Sequence, residues 1–169
     1  YEDVLSTPDY PKELDIAGEG SLLSLAGDKT LSFSARGINE IRVSIYRLLD
    51  DQLNHFVTQT YGDIDELKFS NYNFNKYNLT RSFQKRLYLS GNSPKKVKYA
   101  SLSLAQYLKS QNAGIFIIEA EGYQKDRDYS VIKDKRIVMV TDLGIMLKKA
   151  ADGQQFVYVQ SVKTGEPVA

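Results

Sequence analysis

A mainly β protein, built as an antiparallel β-sandwich with short helical insertions, is predicted by three features of the 169-residue sequence. Apolar and polar side chains alternate through Leu31-Ser-Phe33-Ser-Ala35, and again through Ile41, Val43 and Ile45, with the period of a half-buried strand. Tyrosine is frequent, with 12 residues, while tryptophan is absent, a composition suited to pleated surfaces. Ala151-Asp152-Gly153 lies between two strand-like runs and carries the Asp-Gly signal of a hairpin. The length leaves room for one domain of about 100–150 residues and part of a second.

The elements follow in chain order. Leu31–Ala35 and Ile41–Tyr46 read as consecutive strands around a turn or bulge at Gly37. Leu49, Leu53, Phe56 and Val57 fall at helical spacing, which predicts a short helix within 48–60 capped by Asp50 or Asp51. Residues 63–80 are rich in Asn, which favours turns, and predict a long surface loop bearing Tyr72, Phe74 and Tyr77. Ser82–Leu89 reads as a strand, Gly91–Pro94 as a turn, and Val97–Leu102 as a strand leading into a helical turn over 103–109. Ile115–Ala120 is the strongest buried-strand run, Asp126-Arg-Asp128 a polar hairpin tip, and Arg136–Val140 another strand. Leu31, Phe33, Ile41, Val43, Ile45, Ile115, Ile117 and Val138 form the expected core.

Composition narrows the function. The net charge is +1, so no overall field draws the chain to nucleic acid or an anionic membrane. Charge is unevenly spread: Glu2, Asp3, Asp9, Glu13, Asp15 and Glu19 open the chain, and Arg81, Lys85, Arg86, Lys95, Lys96 and Lys98 come later. The plain reading is two solvated faces; a polyanion site at the basic stretch is the alternative. There is no cysteine, which excludes disulfides, thiolate metal sites and cysteine nucleophiles. No apolar run is long enough to span a bilayer.

No constellation supports catalysis, a cofactor or a metal. His55, the single histidine, sits inside the predicted helix and reads as structural or solvated. Asp63, Asp65 and Glu66 lack the other ligands and the central glycine of a calcium loop. Gly18-Glu-Gly20 lacks the third glycine of a nucleotide loop, and Asn78-Leu-Thr80 is only a formal glycosylation acceptor.

The order of motifs carries a resemblance. Thr141-Asp-Leu-Gly-Ile145, Phe156-Val-Tyr-Val-Gln160 and Lys163-Thr-Gly-Glu-Pro-Val168 resemble the opening of a macroglobulin domain in bacterial alpha-2-macroglobulins. Gly20-Ser-Leu-Leu23 with Arg36-Gly-Ile-Asn39-Glu-Ile-Arg-Val43-Ser-Ile-Tyr46 is similar to the start of the preceding domain. That domain's closing part would be Gly114-Ile-Phe-Ile117 and the strand ending at Val140.

The resemblance implies a macroglobulin-type sandwich from the N-terminal, MG2/MG3-like, region of such a protein. Residues 1–16 would be a linker or the end of a previous domain, and 17–140 one sandwich. Residues 141–169 would be the first strands of a truncated next domain, stopping near Pro167 with unpaired edges that favour strand exchange or dimerisation. The implied role is that of a non-catalytic scaffold in a periplasmic envelope protein, a lipoprotein, that traps endopeptidases in host defence. Its partners would be neighbouring macroglobulin domains and, for the whole protein, target proteases; the membrane is met only through an upstream lipid anchor. Tyr72, Phe74 and Tyr77 are the candidate interdomain contact. The alternative is a carbohydrate-binding or adhesin-like module that uses the same three rings as a stacking platform.

Overall fold

The computed structural model describes residues 10–17, 22–24, 28–60, 79–91, 95–105, 107 and 113–168. These residues include ten strands and one α-helix: β1 Glu13–Ala17, β2 Leu22–Ser24, β3 Thr30–Arg36, β4 Glu40–Leu48, α1 Leu53–Thr60, β5 Leu79–Tyr88, β6 Lys98–Ser103, β7 Gly114–Tyr123, β8 Ile132–Thr141, β9 Leu143–Lys149 and β10 Gln155–Ser161. They form a five-stranded sheet in the order β2-β8-β7-β4-β5, a three-stranded sheet β1-β3-β6, and the hairpin β9-β10. All these pairings are antiparallel except β2 on β8.

The two larger sheets face each other. Leu14 and Ile16 of β1, Leu31, Phe33 and Ala35 of β3, and Leu102 of β6 meet Ile41, Val43, Ile45, Phe116, Ile118, Ala120, Val138 and Val140 of the larger sheet in one core. The predicted alternation of β3 and β4 is therefore used as expected, with the apolar positions inward and Ser32, Ser34, Arg42 and Ser44 on the other faces. Gly37 turns the chain between them at φ 71°, a left-handed conformation that glycine adopts without strain. Packing also fixes Gly122, where an added Cβ would lie 2.7 Å from Ile132 Cγ2 and 2.8 Å from Ile38 Cδ1.

Three expectations are corrected by the strand pairings. On β7, Phe116, Ile118 and Ala120 face the sandwich core, opposite Val138, Arg136 and Asp134 in register, while Ile115 and Ile117 point to the other face. Choosing Ile115 and Ile117 for the core places β7 one residue out of phase, which exchanges its faces. Residues 13–16, read from the sequence as a linker or the end of a previous domain, lie in β1 and pair with β3 from Glu13↔Arg36 to Ile16↔Phe33. Residues 79 and 80, expected in the long loop, open β5.

The edge of β1 is sealed against β8. The Ile16 N–H donates to Asp134 Oδ2 at 2.8 Å, and Arg136 Nη1 donates to the carbonyls of Ile16 (3.2 Å) and Ala17 (3.1 Å). Side chains of one sheet thus satisfy main-chain groups at the exposed edge of the other. On the opposite side, Lys98 Nζ of β6 donates to the Ile38 carbonyl at 3.5 Å, and Phe83 of β5 stacks on Tyr107 with centroids 3.5 Å apart.

The outer face of the five-stranded sheet is divided. One half is a charge ladder: Lys135–Glu119 at 3.3 Å, the Lys133–Glu121 pair, Arg42–Glu40 at 2.6 Å and Arg86–Glu40 at 3.7 Å, with the Arg42 guanidinium 3.7 Å from the Tyr123 ring centroid. The cross-strand pairs among them contribute about 0.2–1 kcal/mol each. The hydrogen bond with Glu121 raises the Lys133 pKa above its ordinary 10.5. The stability it adds is present below that value and is lost only as pH climbs through the raised one.

The other half is apolar. Leu48, Ile117 and Ile137 are buried there beneath Phe56 of α1, with Tyr46, Leu79 and Ile115 around them. A 3-10 turn over Asp50–Gln52 leads into α1; Leu49 stands at its N-cap position without a side-chain cap, and Asp50 and Asp51 lie in the first turn instead. Leu53 (47% exposed) and Val57 (49%) contribute little burial, so the expected apolar stripe reduces to Phe56, at 2%. Among the described side chains of α1, Phe56 therefore holds the helix to the sheet. Phe56→Ala is expected to cost about 3–5 kcal/mol in urea unfolding and to expose the amides of α1 to exchange; a loss below about 1 kcal/mol would contradict this anchoring.

Candidate functional site

Among the described residues, β8 passes almost directly into the β9–β10 hairpin. β8 ends at Thr141 and β9 starts at Leu143, leaving Asp142 as the whole connection. Its main-chain carbonyl accepts the Val162 N–H at 2.7 Å. Its carboxylate accepts Ser161 Oγ–H at 2.6 Å (Oδ2) and the Lys163 N–H at 2.9 Å (Oδ1). Thr141 Oγ1 accepts the Leu143 N–H at 3.0 Å, and Ser161 Oγ in turn accepts the Thr164 N–H at 3.1 Å. A short acidic side chain suits this place because it supplies two acceptor oxygens within reach of Ser161 and Lys163.

Downstream the turn closes on itself. Gly165, at φ 75°, donates to the Ser161 carbonyl at 2.8 Å, and Pro167 bridges back to Gln160. The hairpin tip forms as the Asp-Gly signal predicts, with Gly153 at φ 89° donating to the Ala150 carbonyl. Asp142 thus ties the exit of the sandwich to the far end of the hairpin.

The hairpin itself stands uncovered. Register puts Leu143, Ile145, Leu147, Val157 and Val159 on one face and Met146, Phe156 and Tyr158 on the other. Ile145 is 72% exposed, Leu147 65% and Val157 60%, and no other described element packs extensively on either face. A two-stranded hairpin is marginal alone, and each such side chain gains about 1.5–3 kcal/mol when fully buried. The aliphatic face has the makings of a core without a sheet to cover it.

The sequence-derived candidates fall elsewhere. Tyr72, Phe74 and Tyr77 lie outside the described residues, as do Asp63, Asp65, Glu66, Gly18–Gly20 and Asn78. His55 is on α1, half-buried. Asp126-Arg127-Asp128 is the exposed turn between β7 and β8, where Arg127 donates to Tyr129 Oη at 2.9 Å. Among the described residues no three His, Asp or Glu side chains converge as a metal site would need, and no helix is long and apolar enough to cross a membrane. Sequence reasoning found the strands on either side of Asp142 and missed its clamp. The available signal was the Asp three residues ahead of the alternating run together with Ser161 at its end.

Removing the carboxylate tests the joint. Asp142→Ala is expected to speed amide exchange at Lys163 and Val162 by about tenfold or more, since a charge-assisted hydrogen bond is worth about 1.5–3 kcal/mol. The sandwich amides should keep their protection. Unchanged exchange at Lys163 would show that the carboxylate does not hold the joint.

No family model matches the chain. Among curated proteins it is 31% identical to the alpha-2-macroglobulin of Rickettsia conorii over 99% of its own length and 9% of that protein's. It is 31% identical to the alpha-2-macroglobulin homolog of Yersinia pestis (98% and 9%) and 28% to the alpha-2-macroglobulin of Pasteurella multocida (98% and 10%). The chain therefore spans about a tenth of the relatives it matches. In structure it is similar to a crystal structure of native Escherichia coli alpha-2-macroglobulin spanning domains NIE-MG1, with TM-score 0.64 and 20% identity, over 93% of this chain and 73% of that one. The cryo-EM structure of the native E. coli protein matches at TM-score 0.67 and 19% identity, over 99% and 10%.

Proposed function

The chain belongs to the bacterial alpha-2-macroglobulin family, and on that premise we propose that it is a scaffold segment of a larger envelope protein that traps endopeptidases. The observation that carries the reading is the continuous alignment over 98–99% of the chain with relatives about ten times longer. Residues up to Thr141 make a sandwich with its own core, and the hairpin beyond Asp142 is read as the opening of the next domain. The match to an E. coli fragment spanning domains NIE-MG1 supports NIE and the start of MG1 as the counterparts of these two units. The sequence resemblance implies an MG2/MG3-like region; the likeness to the E. coli fragment favours the NIE-MG1 region instead.

The segment's part is mechanical. A packed sandwich transmits position without chemistry, and Asp142 sets how the next domain starts. With no cysteine in the chain, a thioester, where the parent has one, lies outside it, as does a bait region. Periplasmic location, a lipid anchor upstream and target proteases belong to the parent under this reading. Tyr72, Phe74 and Tyr77 are proposed as contacts to neighbouring domains.

Two measurements test the reading. The isolated chain should leave endopeptidase cleavage of casein unchanged, whereas the full parent should suppress it; inhibition by the isolated chain would overturn the scaffold role. Extending the chain by the roughly 60–70 parental residues that complete a ~100-residue sandwich should bury the hairpin and raise its melting temperature by several degrees. An unchanged transition would overturn the hairpin's assignment as the start of a domain.

A further inference from the structure

The β9–β10 hairpin lies wholly within the described residues, and its two faces differ in kind. On one face the pairs Ile145↔Val159 and Leu147↔Val157 are aliphatic on both strands, and Leu143 adds an apolar position at the base. The chain then returns along β10. The Val168 N–H donates to the Val159 carbonyl at 3.0 Å and Pro167 bridges to Gln160, which sets Val168 beside Val159 on the same face. On the other face every pair carries a polar group. Gln160 stands opposite Gly144, the Tyr158 phenol opposite Met146, and Lys148 opposite Phe156.

We propose that the aliphatic face alone is a core face, closed by a facing sheet built from the parental residues that follow. The face of Met146 and Tyr158 then stays on the outside of the finished domain. This rests on the reading of the hairpin as the opening of a domain, and adds which face is covered and by what. Three observations select the occupant. Leu, Ile and Val pack a core densely in few rotamers and bring no polar atom into it. Covering the other face would enclose an amide, a phenol and an ammonium, each needing a buried partner. The sandwich upstream is built in the same way: β3 turns Leu31, Phe33 and Ala35 to the facing sheet and leaves Ser32 and Ser34 outside. Chain to supply such a sheet is present in the similar E. coli NIE-MG1 fragment, where the match covers 73% and leaves about a quarter over. A second copy would bring only another two-stranded ribbon, whereas a stable layer needs about three strands or more.

Hydroxyl-radical footprinting, read by mass spectrometry on the 169-residue chain and on the full-length parent, tests the assignment. In the isolated chain Leu147, 65% exposed, and Met146, 58% exposed, should both be oxidised freely. In the parent, Ile145, Leu147 and Val157 should lose reactivity about tenfold, as open side chains do on entering a core. Met146 and Tyr158 should keep theirs within about twofold. Leu147→Lys in the parent should restore oxidation of Ile145, whereas Lys148→Leu should leave it protected. Continued protection of Phe116 establishes that the sandwich is folded, and Leu147→Ala carries the test if Leu147→Lys does not fold. Protection of Met146 and Tyr158 with Ile145 and Leu147 still reactive overturns the choice of face, and leaves the hairpin's place in a domain standing. Equal protection of both faces does the same. No protection of either face overturns the underlying reading as well. Protection of Leu147 in the isolated chain that grows with its concentration assigns the face to a second copy and overturns the proposal.

Discussion

The fold depends on β7 being buried on both faces. Phe116, Ile118 and Ala120 enter the core between the sheets, while Ile117, at 4% exposure, lies under Phe56 on the outside. A strand with apolar residues on both sides cannot sit in a sandwich whose outer face is wet. The short helix after β4 is the cover that this strand requires, and it explains why the unit departs from a plain two-layer sandwich. The remaining outer face, where β7 carries Glu119 and Glu121, needs no cover and is paired with Lys135 and Lys133 instead.

From that centre the two edges diverge. On the β1 side, inward-facing Asp134 and Arg136 bind main-chain groups and join the sheets. On the β5–β6 side, Tyr88, Lys96 and Tyr99 stand exposed. Charged side chains on an edge blunt indiscriminate strand pairing. Beyond β8, Asp142 fixes the first residues of a hairpin whose apolar faces are uncovered, in keeping with a segment of a multidomain alpha-2-macroglobulin.

Much of this was legible in the residues. Alternation located β3 and β4 and indicated their inner faces correctly, because one polar residue separates each apolar pair. The same rule failed at Ile115-Phe-Ile-Ile118, where four apolar residues in succession carry no phase; only the pairing with β4 and β8 supplies it. β1 was hidden because Glu13-Leu-Asp-Ile-Ala17 is five residues long and its acidic positions read as part of a solvated acidic stretch. The helix was found from the spacing of Leu49, Leu53, Phe56 and Val57, yet of these only Phe56 is deeply buried. The Asp142 clamp joins residues about twenty apart in sequence, so no local pattern announces it. The family, by contrast, was readable from the order of short motifs along the chain.

The central claim is that a sandwich with its own core is followed by a hairpin that does not share it. Native-state hydrogen exchange under increasing denaturant tests it most directly, since it resolves cooperative units by their opening free energy. The account predicts two classes of amide. Those of β4 and β7 should open only with global unfolding, and those of β9 and β10 should open at several kcal/mol lower free energy, independently of the sandwich. A single class, with the hairpin amides as protected as those of β7, would contradict it.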